Sequence, residues 1–312
     1  MDEKTKGTNQ KRVLFIINPR SGKREESNLA DLISLQSKIS GFDFQIYVMT
    51  GNNEEASISE EIRTYNPQLV ACAGGDGTVN LVAGILVETD ITLLIIPHGS
   101  ANGMAKELGI DSRLDHALAL LENGVIKAID ALKINGEICI HLADIGLNAR
   151  IVKRFEADHT RGIITYAKHL FREMFLLKRY KFTIRYDDKV VKRKGVSITF
   201  ANASRYGTGA VINPQGIIDD GKFELVVVKP FPQIQLLSIA WKMFRNTLHT
   251  SDYVEVISCT QAQIHISKKT TLQIDGEVIG KVKEIKVEML HKALKVLVPK
   301  PLPNPLQRRG GV

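Results

Sequence analysis

Through the first 130 residues, short apolar runs alternate with segments of helical period. RVLFII (12–17) is an apolar run with β-branched residues, and FDFQIYV (42–48) alternates like a strand. QLVACA (68–73) and ITLLII (91–96) read as a third and fourth strand. Between them, residues 25–40 place Leu29, Leu32, Ile33, Leu35 and Ile39 at the spacing of one helix face. Further helices are predicted at 54–65, from about 78 to 87, and beyond residue 103. Such alternation predicts a doubly wound parallel sheet with helices on both faces, and ligands on such sheets sit beyond the carboxyl ends of the strands. Three loops marked by glycine or proline lie at those ends: NPRSGK (18–23), GGDGT (74–78) and PHGSANG (97–103).

After about residue 131 the pattern changes. LKINGEICIHLADI carries the hairpin signal Asn135-Gly136, and an Asp187-Asp188 turn divides KFTIRY from KVVKRKG. GKFELVVV, AQIHI and TLQIDGEVIG add strands, with helical stretches at 163–178 and 233–248. The fold class is therefore α/β plus all-β: a parallel-sheet domain over 1–130, then an antiparallel β-sandwich over 131–290.

Charge supports that boundary. Residues 1–130 hold 12 basic and 18 acidic side chains; the remainder holds 30 and 16. Residues 150–194 alone hold 14 basic and 5 acidic. A basic half points to an anionic partner, a membrane surface or nucleic acid, or simply to good solubility; nucleic acid has little beyond charge to support it. No uncharged apolar stretch reaches about 18 residues, and the first residues carry no signal-peptide core, so a cytoplasmic protein is expected. Cys72, Cys139 and Cys259 lack metal-ligand spacing and read as free thiols.

GGDGT can be an ordinary strand-to-helix turn capped by Asp76, or a phosphate cradle. Gly74, Gly75 and Gly77 allow close backbone approach, Thr78 can cap the next helix, and helix N-termini attract anions. Asp76 beside phosphate oxygens calls for an intervening cation, and Mg²⁺ binds through one or two carboxylates plus phosphates. No P-loop and no dinucleotide fingerprint is present.

NPRSGK, GGDGTVN and PHGSANGMAKELGI, followed by IIDDGKFELVVV (217–228) and IDGE (274–277), resemble in order and spacing the diacylglycerol kinase catalytic-domain family. That family includes bacterial lipid kinases, sphingosine kinases and ceramide kinases. The resemblance implies a nucleotide domain, a lipid-binding sandwich, a cleft between them, and a C-terminal segment (about 290–312) that returns to the first domain. It implies ATP and Mg²⁺ as cofactors and a membrane lipid as acceptor. Asn18, Ser21 and Thr50 would touch the nucleotide, Gly74, Gly75, Asp76, Gly77 and Thr78 would cradle its phosphates, and Ser100 and Asn102 would complete the site. Asp76 would act on the nucleotide Mg²⁺, Asp220 would ligate a structural Mg²⁺ with the carbonyls of Ile217 and Lys222, and Glu277 would be the general base. One departure stands out: bacterial diacylglycerol kinases commonly place Asp after the Asn of the third loop, where this chain has Gly103. A soluble acceptor such as NAD, or nucleotide binding without turnover, are the competing readings.

Two stretches suit membrane contact. GIITYAKHLFREMFLLKRYK (162–181) is a cationic amphipathic helix, and FPQIQLLSIAWKMF (231–244) holds the chain's single Trp. Each also reads as a helix packed on the sandwich.

Overall fold

The computed structural model describes residues 11–21, 26–147, 178–206 and 209–301. The helix expected at 163–178, almost all of the cationic stretch 162–181 and the tail beyond 301 lie outside the described residues.

Strands β1 (Arg12–Ile17), β2 (Asp43–Val48), β3 (Leu69–Gly74) and β4 (Thr92–Pro97) run parallel in the order β2-β1-β3-β4. Their apolar runs are continuous because both faces are covered: every residue of β3 and β4 is buried. The covering helices are α1 (Glu26–Ser40), α2 (Glu54–Tyr65), α3 (Asp76–Leu86), the short α4 (Gly103–Glu107) and α5 (Leu114–Asn123). α1 packs beside α5, and α2 beside α3. Two expectations need correction. Leu35 and Ile39 point to solvent rather than into the core, so the buried stripe of α1 runs through Leu29 and Ile33. α3 begins at Asp76 with Gly75 as its N-cap; Thr78 lies inside the helix, buried, and caps nothing.

The second half contains β5 (Val125–Ile134), β6 (Glu137–Cys139), β7 (Leu142–Gly146), β8 (Tyr180–Tyr186), β9 (Lys189–Gly195), β10 (Ser197–Ala201), β11 (Phe223–Val228) and β12 (Val254–Cys259). Two long strands complete it, β13 (Gln261–Ile274) and β14 (Glu277–Val298). These strands pair with one another antiparallel, while the end of β14 runs parallel to β4. β13 builds the sandwich by serving both of its sheets: residues 262–266 pair with β8, and residues 272–274 pair with β7 beyond an irregularity in its register. Asn135 and Gly136 turn β5 into β6 with both φ angles positive, 52° and 101°, as a tight hairpin requires. The helix expected at 233–248 is shorter, α6 (Gln235–Phe244), followed by one 3₁₀ turn at 248–250.

β14 joins the halves. Its first part pairs with β13, and its end lies beside the parallel sheet, with Val296 opposite Leu93 of β4. β5 follows it across both parts, interrupted between Leu290 and Leu294. β5, from the middle of the chain, and β14, near its end, thus form the ribbon between parallel sheet and sandwich.

Candidate active site

β1, β3 and β4 are parallel neighbours, so their loops emerge at one edge of the sheet. Contacts between the loops are short. The Asn18 N–H donates to the Ala73 carbonyl at 3.0 Å, and its Nδ2 donates to Thr78 Oγ1 at 2.7 Å. The His98 N–H donates to the Gly74 carbonyl at 3.0 Å. Gly75 and Gly99 cross so closely that a Cβ on Gly99 would lie 2.5 Å from Gly75 Cα. Only glycine fits that crossing.

The named polar side chains of these loops are engaged with protein. Asn18 Oδ1 accepts from the Arg20 N–H, Ser21 Oγ donates to the Asn18 carbonyl, and Asn102 both accepts from and donates to the Gly99 backbone at 2.8 Å. Asn102 itself sits in the left-handed region, φ 50°. These side chains shape the loops, which leaves the backbone N–H groups as candidate phosphate donors. The first turn of α3 has N–H groups with no intrahelical acceptor, and its N-cap, Gly75, has no side chain with which to cap them. Thr50 stands two residues past β2, its carbonyl accepting from Arg20 Nη2 at 3.3 Å, and Ser100 is exposed on the third loop.

Asp76 is half-buried at the first position of α3, and its Oδ1 accepts from the Met104 N–H at a long 3.3 Å. That carboxylate retains acceptor capacity, which suits a cation shared with phosphate oxygens. Gly103 is buried at the start of α4 immediately before Met104.

Glu277 arrives from the sandwich. A Cβ built on Gly77 would lie 2.5 Å from Glu277 Oε1, so this exposed carboxylate rests over the glycine loop of the other half. The turn before it is held by Asp275, a residue whose role the motif alone does not reveal. Asp275 is buried, and its carboxylate accepts from three consecutive backbone N–H groups, Ile140 at 2.9 Å, His141 at 3.1 Å and Leu142 at 2.9 Å, and from Cys139 Sγ at 3.3 Å. Burial pushes the Asp275 carboxyl above its ordinary value; nearby His141 and the hydrogen bonds oppose that shift without cancelling it. The same burial, with Asp275 beside it, pushes the Cys139 thiol well up.

The 217–222 turn belongs to a second cluster. Asp220 Oδ1 accepts from the Lys222 N–H at 3.0 Å, and the Gly221 N–H donates to Asp130 Oδ2 at 2.7 Å. Asp130 is fully buried on β5, and its Oδ1 also takes the Lys292 N–H at 2.7 Å and meets His291 Nδ1 at 2.8 Å. It therefore ties that turn to the interruption in β14. Among the described residues no three His, Cys, Asp or Glu side chains gather as metal ligands. The donors that could hold a cation are single carboxylates, Asp76 or Asp220, each needing phosphate, carbonyl or water oxygens beside it. A lone Asp inside the apolar run AIDALKI was the available sequence signal for Asp130. Glu107 of α4 is another silent contributor, accepting from Ser204 N–H and Oγ at 3.2 and 2.9 Å. A groove of about 590 Å³ bordered by Asn135, Arg185 and His265 shares no residue with these loops.

Known proteins resemble this chain over most of its length. Residues 12–134 match the diacylglycerol kinase catalytic domain, and residues 142–298 match the YegS C-terminal NAD kinase beta sandwich-like domain. A diacylglycerol kinase of Bacillus subtilis is 24% identical over 93% of this chain and 97% of its own. A probable lipid kinase YegS-like of Klebsiella pneumoniae is 27% identical over the same shares. The crystal structure of a putative diacylglycerol kinase from Bacillus anthracis superposes with a TM-score of 0.77 at 22% identity, covering 96% of this chain and 99% of that one.

Proposed function

The chain belongs to the diacylglycerol kinase catalytic-domain family, a family of lipid kinases, and from that premise we propose that it transfers the γ-phosphate of ATP to the hydroxyl of a membrane lipid, diacylglycerol or a close relative. The observation that carries the reading is the meeting of Glu277 with Gly77. A carboxylate from the acceptor-binding half stands over the loop that would hold phosphates, where a lipid hydroxyl and a γ-phosphate would have to meet.

Each part then has one task. The backbone of residues 74–78 and the start of α3 bind and orient the phosphates. Asp76 would hold the nucleotide's Mg²⁺, which would supply positive charge to offset the negative charge of the phosphates. Glu277 accepts the hydroxyl proton as the lipid oxygen bonds to the γ-phosphorus; the bond from that phosphorus to the bridging oxygen breaks, and ADP leaves. Asp275 keeps Glu277 in place by tying its turn to residues 140–142. Asp220, with the carbonyls of Ile217 and Lys222, would hold a second Mg²⁺ of structural role.

The test is incubation with labelled ATP and Mg²⁺ against a total lipid extract, with NAD as a parallel acceptor. Label is expected in a lipid and not in NAD. Label in NAD, or in no acceptor at all, would overturn the assignment.

A further inference from the structure

The inference deepens the lipid-kinase reading and concerns how the enzyme meets its substrate. α6 is fastened to the sandwich along one side. Ile239 is buried in a cluster with Phe231, Leu248 and Val254, and the Met243 carbonyl accepts from the Val211 N–H at 3.1 Å. The other side is open. Trp241 is 65% exposed, Phe244 64%, and Ile234, one residue before the helix, 81%. At 100° per residue, positions 234, 241, 244 and 245 share a stripe opposite Ile239.

The surroundings of that stripe identify its partner. Residues 229–251 contain Lys229, Lys242 and Arg245 and no acidic residue. The Arg245 guanidinium lies 5.3 Å from the centre of the Trp241 ring. Bulky apolar side chains projecting from an acid-free, basic segment complement a bilayer interface with anionic headgroups, where aromatic rings sit and basic groups are attracted. The stripe is also connected to the site. Val211, bonded to α6, bridges to Arg205, and the adjacent Ser204 is held by Glu107 of α4, the helix whose Met104 N–H meets Asp76. We propose that Ile234, Trp241 and Phe244, flanked by Lys229, Lys242 and Arg245, form the surface that docks this kinase on anionic phospholipid bilayers.

Trp241 is the only Trp in the chain, so its fluorescence reports on this surface alone. With vesicles of equal phosphatidylcholine and phosphatidylglycerol, its emission is expected to shift to the blue, and with phosphatidylcholine alone much less. A Trp241→Ala/Phe244→Ala variant, altered only at exposed positions, is expected to partition about tenfold more weakly by co-sedimentation. Its phosphorylation of vesicle-borne lipid is expected to fall in step, while phosphorylation of a short-chain, water-dispersed lipid stays at the wild-type level. Unshifted emission from vesicle-bound protein, or wild-type partitioning of the variant, overturns the proposal. So does a vesicle-free dimer that the two substitutions dissociate, because the stripe would then bind a second copy. Failure to phosphorylate either lipid removes the kinase reading instead, and leaves the partitioning result to decide the docking surface.

Discussion

Asp76-Gly77 and Asp275-Gly276 are the same dipeptide put to opposite uses. Asp275 is buried and saturated, with three backbone N–H groups and a thiol on its carboxylate, at a hairpin where it and Gly276 both take positive φ, 47° and 95°. Asp76 starts a helix and accepts one long hydrogen bond. The difference separates an acid that builds a site from an acid left available to a ligand. Donor count and burial make the distinction, and neither is written in the letters D and G.

That contrast can be broken experimentally, beginning with the largest effect. Asp76→Ala is expected to lower phosphate transfer by about a thousandfold or more while leaving the thermal midpoint nearly unchanged; retained activity would remove Asp76 from the chemistry. Asp275→Ala, which strips the acceptor from three buried N–H groups, should destabilise the fold by about 3 kcal/mol in urea unfolding. A loss no greater than that of Asp76→Ala would erase the contrast. Glu277→Gln should reduce turnover about a hundredfold with nucleotide affinity kept, and a comparable loss in both would mean Glu277 acts in binding. Gly77→Ala places a methyl against the Glu277 carboxylate, which can swing aside, so about a tenfold loss of turnover with little loss of stability is expected.

The smallest effect is in pH. The folded Asp275 carboxyl lies above its ordinary value, so the folded state holds that proton more tightly than the unfolded chain. The stabilisation this gives is complete below the ordinary carboxylate value and is lost as pH rises through the raised one. The stability of wild type relative to Asp275→Asn should therefore decline with rising pH across that window and be flat on either side. A rise in that difference would show that the hydrogen bonds outweigh burial.

Much of the frame was legible from local pattern. The four parallel strands follow their apolar runs closely, and Asn135-Gly136 turns where that dipeptide should. Errors arose where a residue's surroundings decide its role. Leu35 and Ile39 fit a helical stripe but face solvent, because α1 meets the core along Leu29, Leu32 and Ile33. Thr78 looked like a cap, yet the glycine crossing at Gly75 lets the helix start earlier and leaves Thr78 to accept from Asn18. IDGE showed its turn and its Glu, while the work of Asp275 depends on residues 133 to 135 positions away in sequence.

The sequence by itself determined the alternation that makes a parallel sheet, the later change to antiparallel strands, and three glycine loops at strand ends, since each depends on periodicity and on which φ angles a residue tolerates. It put that change near residue 131, whereas β5 is already antiparallel from Val125. Only the tertiary structure decided which acids are saturated and which are open, and that Glu277 lies over Gly77. Those facts require segments two hundred residues apart to be brought together along β14, and the burial that sets a carboxylate's role exists only once they meet.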